Sequence, residues 1–333
     1  MIRLGLRAQA KASVPPDRVL ADALRSDPSY LAKLKHRLEE AIGSRFQLQK
    51  PIALGGMATL FLMQHRLHEG LFVAKVLHPD LAVRHDVVES FRREAVHAAR
   101  LSDHPATVPI FDFEERQHLH FMIMPYVEGE DLDHLLNRCG PLAREEALHM
   151  TAQISSLLSH AESHEIAHCD LAPGNIRLDT FGRYRVLDFG ISHAWNDRSE
   201  KPIPGGTPLY NSPEQARGET PDHRTDLYSL GLVLYEALTG EPLFLGTTLE
   251  ELRQKHIDGN WKLAASIEED IPIAKLLRQM LVTDRNHRMQ SAFELSGILA
   301  ALGFERPEFR ASAGLLRPAA NEKRRKSRLS SHS

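Results

Sequence analysis

The run Leu71–Leu77, LFVAKVL, sets a lysine in the middle of an apolar stretch of strand length. An ammonium group there is costly to bury unless an anionic partner meets it. The downstream stretch Val87–Leu101, VVESFRREAVHAARL, has helical periodicity and offers that partner. Val87, Phe91, Glu94 and Ala98 fall on one helical face, so Glu94 projects with the apolar stripe and the arginines do not. An inward Lys75 and an inward Glu94 make a pair; taken singly, either could instead be a surface residue with its head group in water.

Working outward from this pair, short apolar runs broken by Gly and His turns predict strands near 47–54, 58–65, 71–77, 108–113 and 119–124. From Asp131 onward helical patterns dominate, and Leu227–Leu238, LYSLGLVLYEAL, is apolar nearly all round, which predicts a central buried helix. Upstream, Asp27 can cap a helix with Pro28 in its first turn, and Tyr30, Leu31, Leu34, Leu38 and Ile42 repeat at helical spacing until Gly43. This stripe reads as packing on the main domain, with a partner site as the other reading. There are no internal repeats. A sheet-rich first part and a helical second part, joined near Pro125–Gly129, predict an α+β chain of two lobes around a cleft.

The 333 residues are enough for one large or two ordinary domains. No apolar run is long enough to cross a bilayer, and the opening MIRLGLRAQAKAS lacks the apolar block of a secretory signal, so the expected location is cytoplasmic. A short transit peptide is the alternative reading of that basic start, weakened by Asp17 and Asp22. Two cysteines, Cys139 and Cys169, fit a reducing compartment. Net charge is −3, but residues 1–50 and residues 305–333 each carry +5, which leaves −13 for the body. An acidic body argues against nucleic-acid binding and favours basic partners, the chain's own end among them. The stretch after Gly303, ending KRRKSRLSSHS, is too polar to bury a core and is expected to be disordered.

Three further stretches carry chemistry. In Pro51–Phe61, PIALGGMATLF, Gly55 and Gly56 lie in a turn between strands, where bare backbone can approach phosphates. In Val186–Gly190, VLDFG, Asp188 ends a strand-like run, where a carboxylate can reach a metal. In Ala167–Asn175, AHCDLAPGN, Asn175 adds a neutral oxygen for the same hard cation, and Asp170 can orient an acceptor hydroxyl and take its proton.

Together and in this order, these stretches resemble the eukaryotic-type serine/threonine protein kinases, closest to their bacterial members, over roughly residues 46–304. Further matches are the hinge-like MPYVEGEDL at Met124–Leu132, GTPLYNSPEQ at 206–215, TDLYSLGLVLYEALTGEPLF at Thr225–Phe244, and Arg288. No single motif settles the matter; the ordered set does. The resemblance implies an N-terminal extension over 1–45, an N-lobe over 46–127, a C-lobe over 128–304 and a basic tail over 305–333. It implies ATP and Mg²⁺, with Mn²⁺ as a possible substitute, and a protein substrate, with no nucleic acid and no membrane span. By position, Ala53, Leu54, Gly55, Gly56, Met57 and Ala58 would cover the nucleotide, while Lys75, braced by Glu94, would hold its phosphates. Met124, Pro125, Tyr126, Val127 and Asp131 would line the base and ribose, with Met124 the gatekeeper and Val127 the backbone donor. Asn175 and Asp188 would bind the metal, and Asp170 would be the base. Glu214 and Arg288 would form a buried anchor, and Asp226 would brace the catalytic loop.

The pattern also breaks. Ala53 and Ala58 replace two loop glycines, and Cys169 stands where the family carries an Arg that receives activation-loop phosphate, leaving Ser192 and Ser199 without their receiver. Ala172 stands where a Lys contacts the transferred phosphate, and loss of one such donor costs about 10²–10³ in rate. The expectation is therefore a slow enzyme, with Arg177 or Lys201 as candidate substitutes for that charge. A pseudokinase scaffold is the alternative, and a small-molecule phosphotransferase a third reading, opposed by GTPLYNSPEQ and by the Asp226 helix. Thr207 beside the catalytic Asp favours a Ser/Thr acceptor. Cys169 reads as a small buried thiol ahead of a redox switch, and His160 and His164 as ordinary histidines ahead of metal ligands. The tail stretch RRKS, Arg324–Ser327, reads as solvated, with docking against Glu128, Glu130, Asp131 and Asp133, or phosphorylation of Ser327, as the sharper alternative. The basic stretch also suggests a substrate with basic residues before its acceptor.

Overall fold

The computed structural model describes residues 27–189, 193–194 and 207–304. The expectations for residues 1–26, Gly190, Ser192, Ser199, Lys201, Gly206 and the tail with Ser327 lie outside the described residues.

The first element is helix α1, Pro28–Ile42. Asp27 caps it by accepting from the Ser29 N–H at 2.9 Å, Pro28 sits in its first turn, and the chain leaves it through Gly43 at φ +61°. Five strands follow: β1 Phe46–Leu54, β2 Ala58–His65, β3 Leu71–Leu77, β4 Asp112–Arg116 and β5 Leu119–Pro125, with helix α2, His85–Arg100, between β3 and β4. They form one antiparallel sheet in the order β1-β2-β3-β5-β4. Both faces of β3 are covered. Phe72, Ala74 and Val76 join Leu34, Leu38, Ala41 and Ile42 of α1 in one core on the outer face. Val73 and Lys75, pointing the other way, line a cavity. The period of two thus aims the lysine at the cleft.

One strand lies later in the chain than its apolar pattern predicts. The run 108–113 reads as a strand, yet pairing begins only at Asp112. Pro109 has no N–H to give to a ladder, and Val108 and Ile110 line the cavity. The Phe111 N–H, donating to the Ile123 carbonyl at 2.7 Å, leads into the paired segment.

Beyond Pro125 come β6 Gly129–Asp131, α3 Leu132–Cys139, α4 Arg144–Ser163, β7 Ile166–Ala167, β8 Ile176–Asp179 and β9 Tyr184–Val186. Strands β6, β8 and β9 make a small antiparallel sheet under the cleft. Gly129 has φ +147°, and a Cβ there would collide with the Leu178 carbonyl. Helices α5 Pro213–Arg217, α6 His223–Thr239, α7 Leu249–Asp258, α8 Ala265–Glu268, α9 Ile271–Met280 and α10 Ala292–Ala301 complete the second lobe. As predicted, α6 is central: every residue from Thr225 to Ala237 is buried. Gly231 lets α9 approach, since a Cβ there would stand 3.0 Å from the Met280 side chain. The fold is α+β and bilobal: a five-stranded sheet with α2 above, a helical lobe below, and a cleft between them.

Candidate active site

The inner face of β3 and the buried face of α2 bring Lys75 and Glu94 together. Lys75 Nζ donates to Glu94 Oε1 at 2.5 Å and also contacts the Asp188 carboxylate across the cleft. On α2, Val88, Phe91, Glu94, Ala95 and Ala98 are buried while Arg92 is exposed, which is the orientation the periodicity predicts. One ammonium thus serves two carboxylates. Burial works against the charge on Lys75, but Asp188 and Glu94 outweigh it and raise its pKa. Burial, reinforced by the neighbouring Asp188, pushes the Glu94 carboxyl well above its ordinary value. Its place between the lobes opposes ionisation of Asp188 too, although the side chain stays partly exposed to the cleft, yet the Lys75 charge prevails and holds that carboxyl low.

Asp188 and Cys169 both adopt left-handed backbone, φ +65° and +64°. For a side chain such as Cys this costs about 1–3 kcal/mol, so its surroundings must hold it. The Asp226 carboxylate does so, accepting from the His168 N–H at 2.7 Å and the Cys169 N–H at 2.8 Å. Gln215 Nε2 secures the other side by donating to the Cys169 carbonyl at 2.7 Å. Burial, with Asp226 and Asp170 adding, pushes the Cys169 thiol well above its ordinary pKa, as suits an inert core residue rather than a reactive one.

The loop carries Asp170 beside Asn175. Asn175 Nδ2 donates to the Asp170 backbone carbonyl at 2.8 Å and to its Oδ2 at 3.2 Å, which turns the amide oxygen away from Asp170. Asp170 Oδ1 accepts from the Thr207 N–H at 2.8 Å and from the Thr207 hydroxyl at 2.9 Å. Burial raises the Asp170 carboxyl to about 6, with the Thr207 bonds opposing the rise.

A cavity of ≈ 350 Å³ separates the lobes. Leu60, Val73, Met124 and Val186 give it apolar walls, and the bonded group Lys75, Glu94 and Asp188, the bonded pair Asp131 and Arg177, and Asn175 supply its polar lining. Ala53, Pro125, Tyr126 and Val127 also line it. Of the remaining expected nucleotide-covering residues, Leu54, Gly55, Gly56, Met57 and Ala58 stand outside the lining. Leu54 is exposed, and Ala58 buries its methyl in a cluster with Leu77 and Met122.

Arg177 does not replace the charge missing at position 172. Its Nε donates to the Val127 carbonyl at 2.7 Å, Nη1 to Asp131 Oδ1 at 2.6 Å and Nη2 to the Gly129 carbonyl at 2.7 Å. Each of its three side-chain nitrogens gives a bond to the segment joining the lobes, a role that one residue type at one position could not announce. Ala172 itself is buried. Far below the cleft, Arg288 grips Glu214 through two bonds of 2.8 Å, with both side chains buried. The rings of His160 and His164 lie 4.5 Å apart, tilted by 54°, and His160 Nε2 lies 2.9 Å from Asp103. Among the described residues no group of three or more His, Cys, Asp or Glu is placed to hold a metal by itself.

Comparison with known proteins agrees with this geometry. A family profile described as "Protein kinase domain" matches residues 46–296. The chain is 34% identical over 258 residues to the serine/threonine-protein kinase PrkC of Bacillus subtilis, covering 76% of this chain and 40% of that protein. It is 39% identical over 225 residues to the serine/threonine-protein kinase PknB of Mycolicibacterium smegmatis, covering 65% and 36%. A probable serine/threonine-protein kinase of Streptomyces coelicolor is 35% identical over 265 residues, covering 76% and 39%. The chain thus spans well under half the length of these curated relatives.

Proposed function

The chain belongs to the protein kinase family, and from that premise we propose that it transfers the γ-phosphoryl group of ATP to serine or threonine hydroxyls of a protein substrate. The observation that supports the proposal is that Lys75, Glu94, Asp188 and Asn175, drawn from four separate stretches, line one cleft, with Asp170 bonded to Asn175 beside it.

The residues fit the group that such a reaction needs. Two carboxylates crowd one lysine, and the Asn175 amide oxygen accepts no hydrogen bond among the described residues. An oxygen-rich site with spare negative charge suits a hard divalent cation. Asp188 and Asn175 would hold Mg²⁺, or Mn²⁺ in its place, with phosphate and water oxygens completing the shell. When bound, the cation neutralises phosphate charge and polarises the group being transferred. Lys75, fixed by Glu94, holds the phosphates against the β3 side of the cleft. The apolar walls around Met124 and Val73 receive the base, with the backbone of Pro125–Val127 alongside and Ala53 at the β1 side.

Asp170 accepts the proton of the acceptor hydroxyl as that oxygen bonds to the γ-phosphorus and the bond to the bridging oxygen breaks. Thr207 and Asn175 orient its carboxylate. The raised pKa puts this base near the working range of a proton acceptor at neutral pH. Ala172 supplies no charge to the moving phosphate and Arg177 is committed elsewhere, so the rate is set low, by about 10²–10³. Among the acids that could attract a basic substrate or the chain's own tail, Glu130 and Asp131 are already paired with Arg138 and Arg177. No helix among the described residues is long and apolar enough to cross a membrane.

The test is transfer of radiolabelled phosphate from ATP to the protein itself and to a basic acceptor protein. Asp170→Asn should lose about 10²–10⁴ in rate, and Ala172→Lys should gain. Equal transfer by wild type and Asp170→Asn would reduce the chain to a nucleotide-binding scaffold.

A further inference from the structure

Thr207 holds the Asp170 carboxylate through its N–H and its hydroxyl, and the residue after it is held in turn from a separate helix. The Pro208 carbonyl oxygen lies 3.0 Å from Nε2 of His256 on α7. A carbonyl can only accept, so Nε2 carries the hydrogen and, in the neutral ring, Nδ1 is a bare acceptor. His256 is fully buried, with its ring centroid 4.4 Å from that of Phe244 and 6.2 Å from that of Tyr228. Burial lowers its pKa to about 4, which keeps the ring neutral. Nδ1 is buried with no hydrogen-bond partner among the described residues.

A histidine so placed is a poor way to fill space. Leu252 and His256, four residues apart, are the buried side chains of α7. A second leucine would bury apolar surface at no polar cost, whereas the imidazole leaves one nitrogen desolvated and unpaired. What the histidine adds is its bond to Pro208. Pro208 has no N–H, so that carbonyl is the hydrogen-bonding group its backbone offers. The stretch Pro208–Tyr210 makes one turn of 3-10 helix, closed by the Tyr210 N–H donating to the Thr207 carbonyl at 2.8 Å. Ser229 Oγ on α6 donates to the Tyr210 carbonyl at 2.8 Å, and the Tyr210 hydroxyl bonds the Glu236 carboxylate. One end of the turn is thus tied to α6, and the end next to Thr207 is tied to α7.

We propose that His256 is a positioning residue for the transfer step: by fixing the Pro208 peptide it sets the place of Thr207, and through Thr207 the orientation of the Asp170 carboxylate. This rests on the reading of Asp170 as the base of a phosphoryl transfer. Neither His256 nor Thr207 lines the cavity between the lobes, so the effect falls on the rate of transfer and not on nucleotide binding.

The test is steady-state transfer of phosphate from ATP to the basic acceptor protein by the full chain and by three variants. His256→Gln and His256→Asn carry the same amide on stems that differ by one methylene. The Gln nitrogen stands in the place of Nε2 and can donate to the Pro208 carbonyl; the Asn nitrogen stands in the place of Nδ1 and cannot reach it. Loss of one net hydrogen bond predicts a fall of about 3- to 10-fold in kcat for His256→Asn and His256→Leu, with the KM for ATP unchanged. His256→Gln should return kcat close to the wild-type value. The comparison of Asn with Gln stands even if His256→Leu fails to fold. Wild-type kcat in His256→Asn, equal loss in Asn and Gln, or a loss carried by the KM for ATP overturns the proposal while leaving the kinase reading intact. No transfer by the wild type, or equal transfer by wild type and Asp170→Asn, overturns the kinase reading and this inference with it.

Discussion

Two cation–carboxylate systems in this molecule use the same kinds of group to opposite ends. At Arg288 and Glu214 one guanidinium meets one carboxylate through two parallel bonds, with side-chain exposures of 0% and 1%. Thr225 donates to the same carboxylate at 2.8 Å, and the Val282 and Arg224 carbonyls take further guanidinium donors. Charge is balanced and the donors are well used. At Lys75 one ammonium is shared by Glu94 and Asp188, and Asp188 is 46% exposed. There charge is not balanced, and the surplus negative oxygen faces the cleft. A saturated pair can only hold structure; an unsaturated one can still bind something.

The comparison breaks most visibly if the surplus carboxylate is removed. Asp188→Asn should lower phosphoryl transfer by about 10³-fold or more, because a bound cation is worth several kcal/mol at the transition state. Its urea unfolding midpoint should not fall, since Lys75 keeps Glu94. Wild-type transfer rates in Asp188→Asn would erase the distinction. Next in size, Arg288→Ala leaves Glu214 buried without its counter-charge and should cost about 3–5 kcal/mol of stability. Denaturant unfolding measures it, and Mg·ATP should not selectively rescue it.

Acidity separates the two systems in sign. Burial raises Glu214, but the Arg288 bonds and charge dominate and hold it below its ordinary value. The folded state therefore gains from that carboxylate above its ordinary pKa, and the gain is lost as pH falls through the lowered folded value. Asp170 runs the other way, raised by burial to about 6. As a base it must be ionised, so the transfer rate should fall as pH drops below about 6, before the Glu214 contribution to folding is lost. A rate profile beside an unfolding profile, both against pH, reads the two limbs; coincident limbs would sink the assignment of Asp170. The smallest effect belongs to a third pair, Lys255 and Glu251, which is 41% and 40% exposed on α7. Lys255→Ala should leave the unfolding midpoint unmoved, because solvent already screens both charges.

Much of this was legible in the chain because it rests on local repetition. The 3.6-residue period put Glu94 on the buried face of α2, the period of two put Lys75 on the inner face of β3, and Asp27, Pro28 and Gly43 marked both ends of α1. Where the apolar run 108–113 misled, the cause was also local: Pro109 cannot join a ladder, and hydrophobicity alone does not say whether a residue packs in a sheet or lines a cavity.

The sequence by itself determined which residues are periodic, which are capped, and which charged groups interrupt apolar runs, since each of these depends on neighbours within a few positions. Only the tertiary structure decided that Arg177 is spent on the Val127 and Gly129 carbonyls and Asp131, and that Tyr30 reaches Gly55 through His78. Those contacts join residues 23 to 50 positions apart in the chain, and a hydrogen bond is satisfied over about 3 Å of space irrespective of the length of chain between its ends.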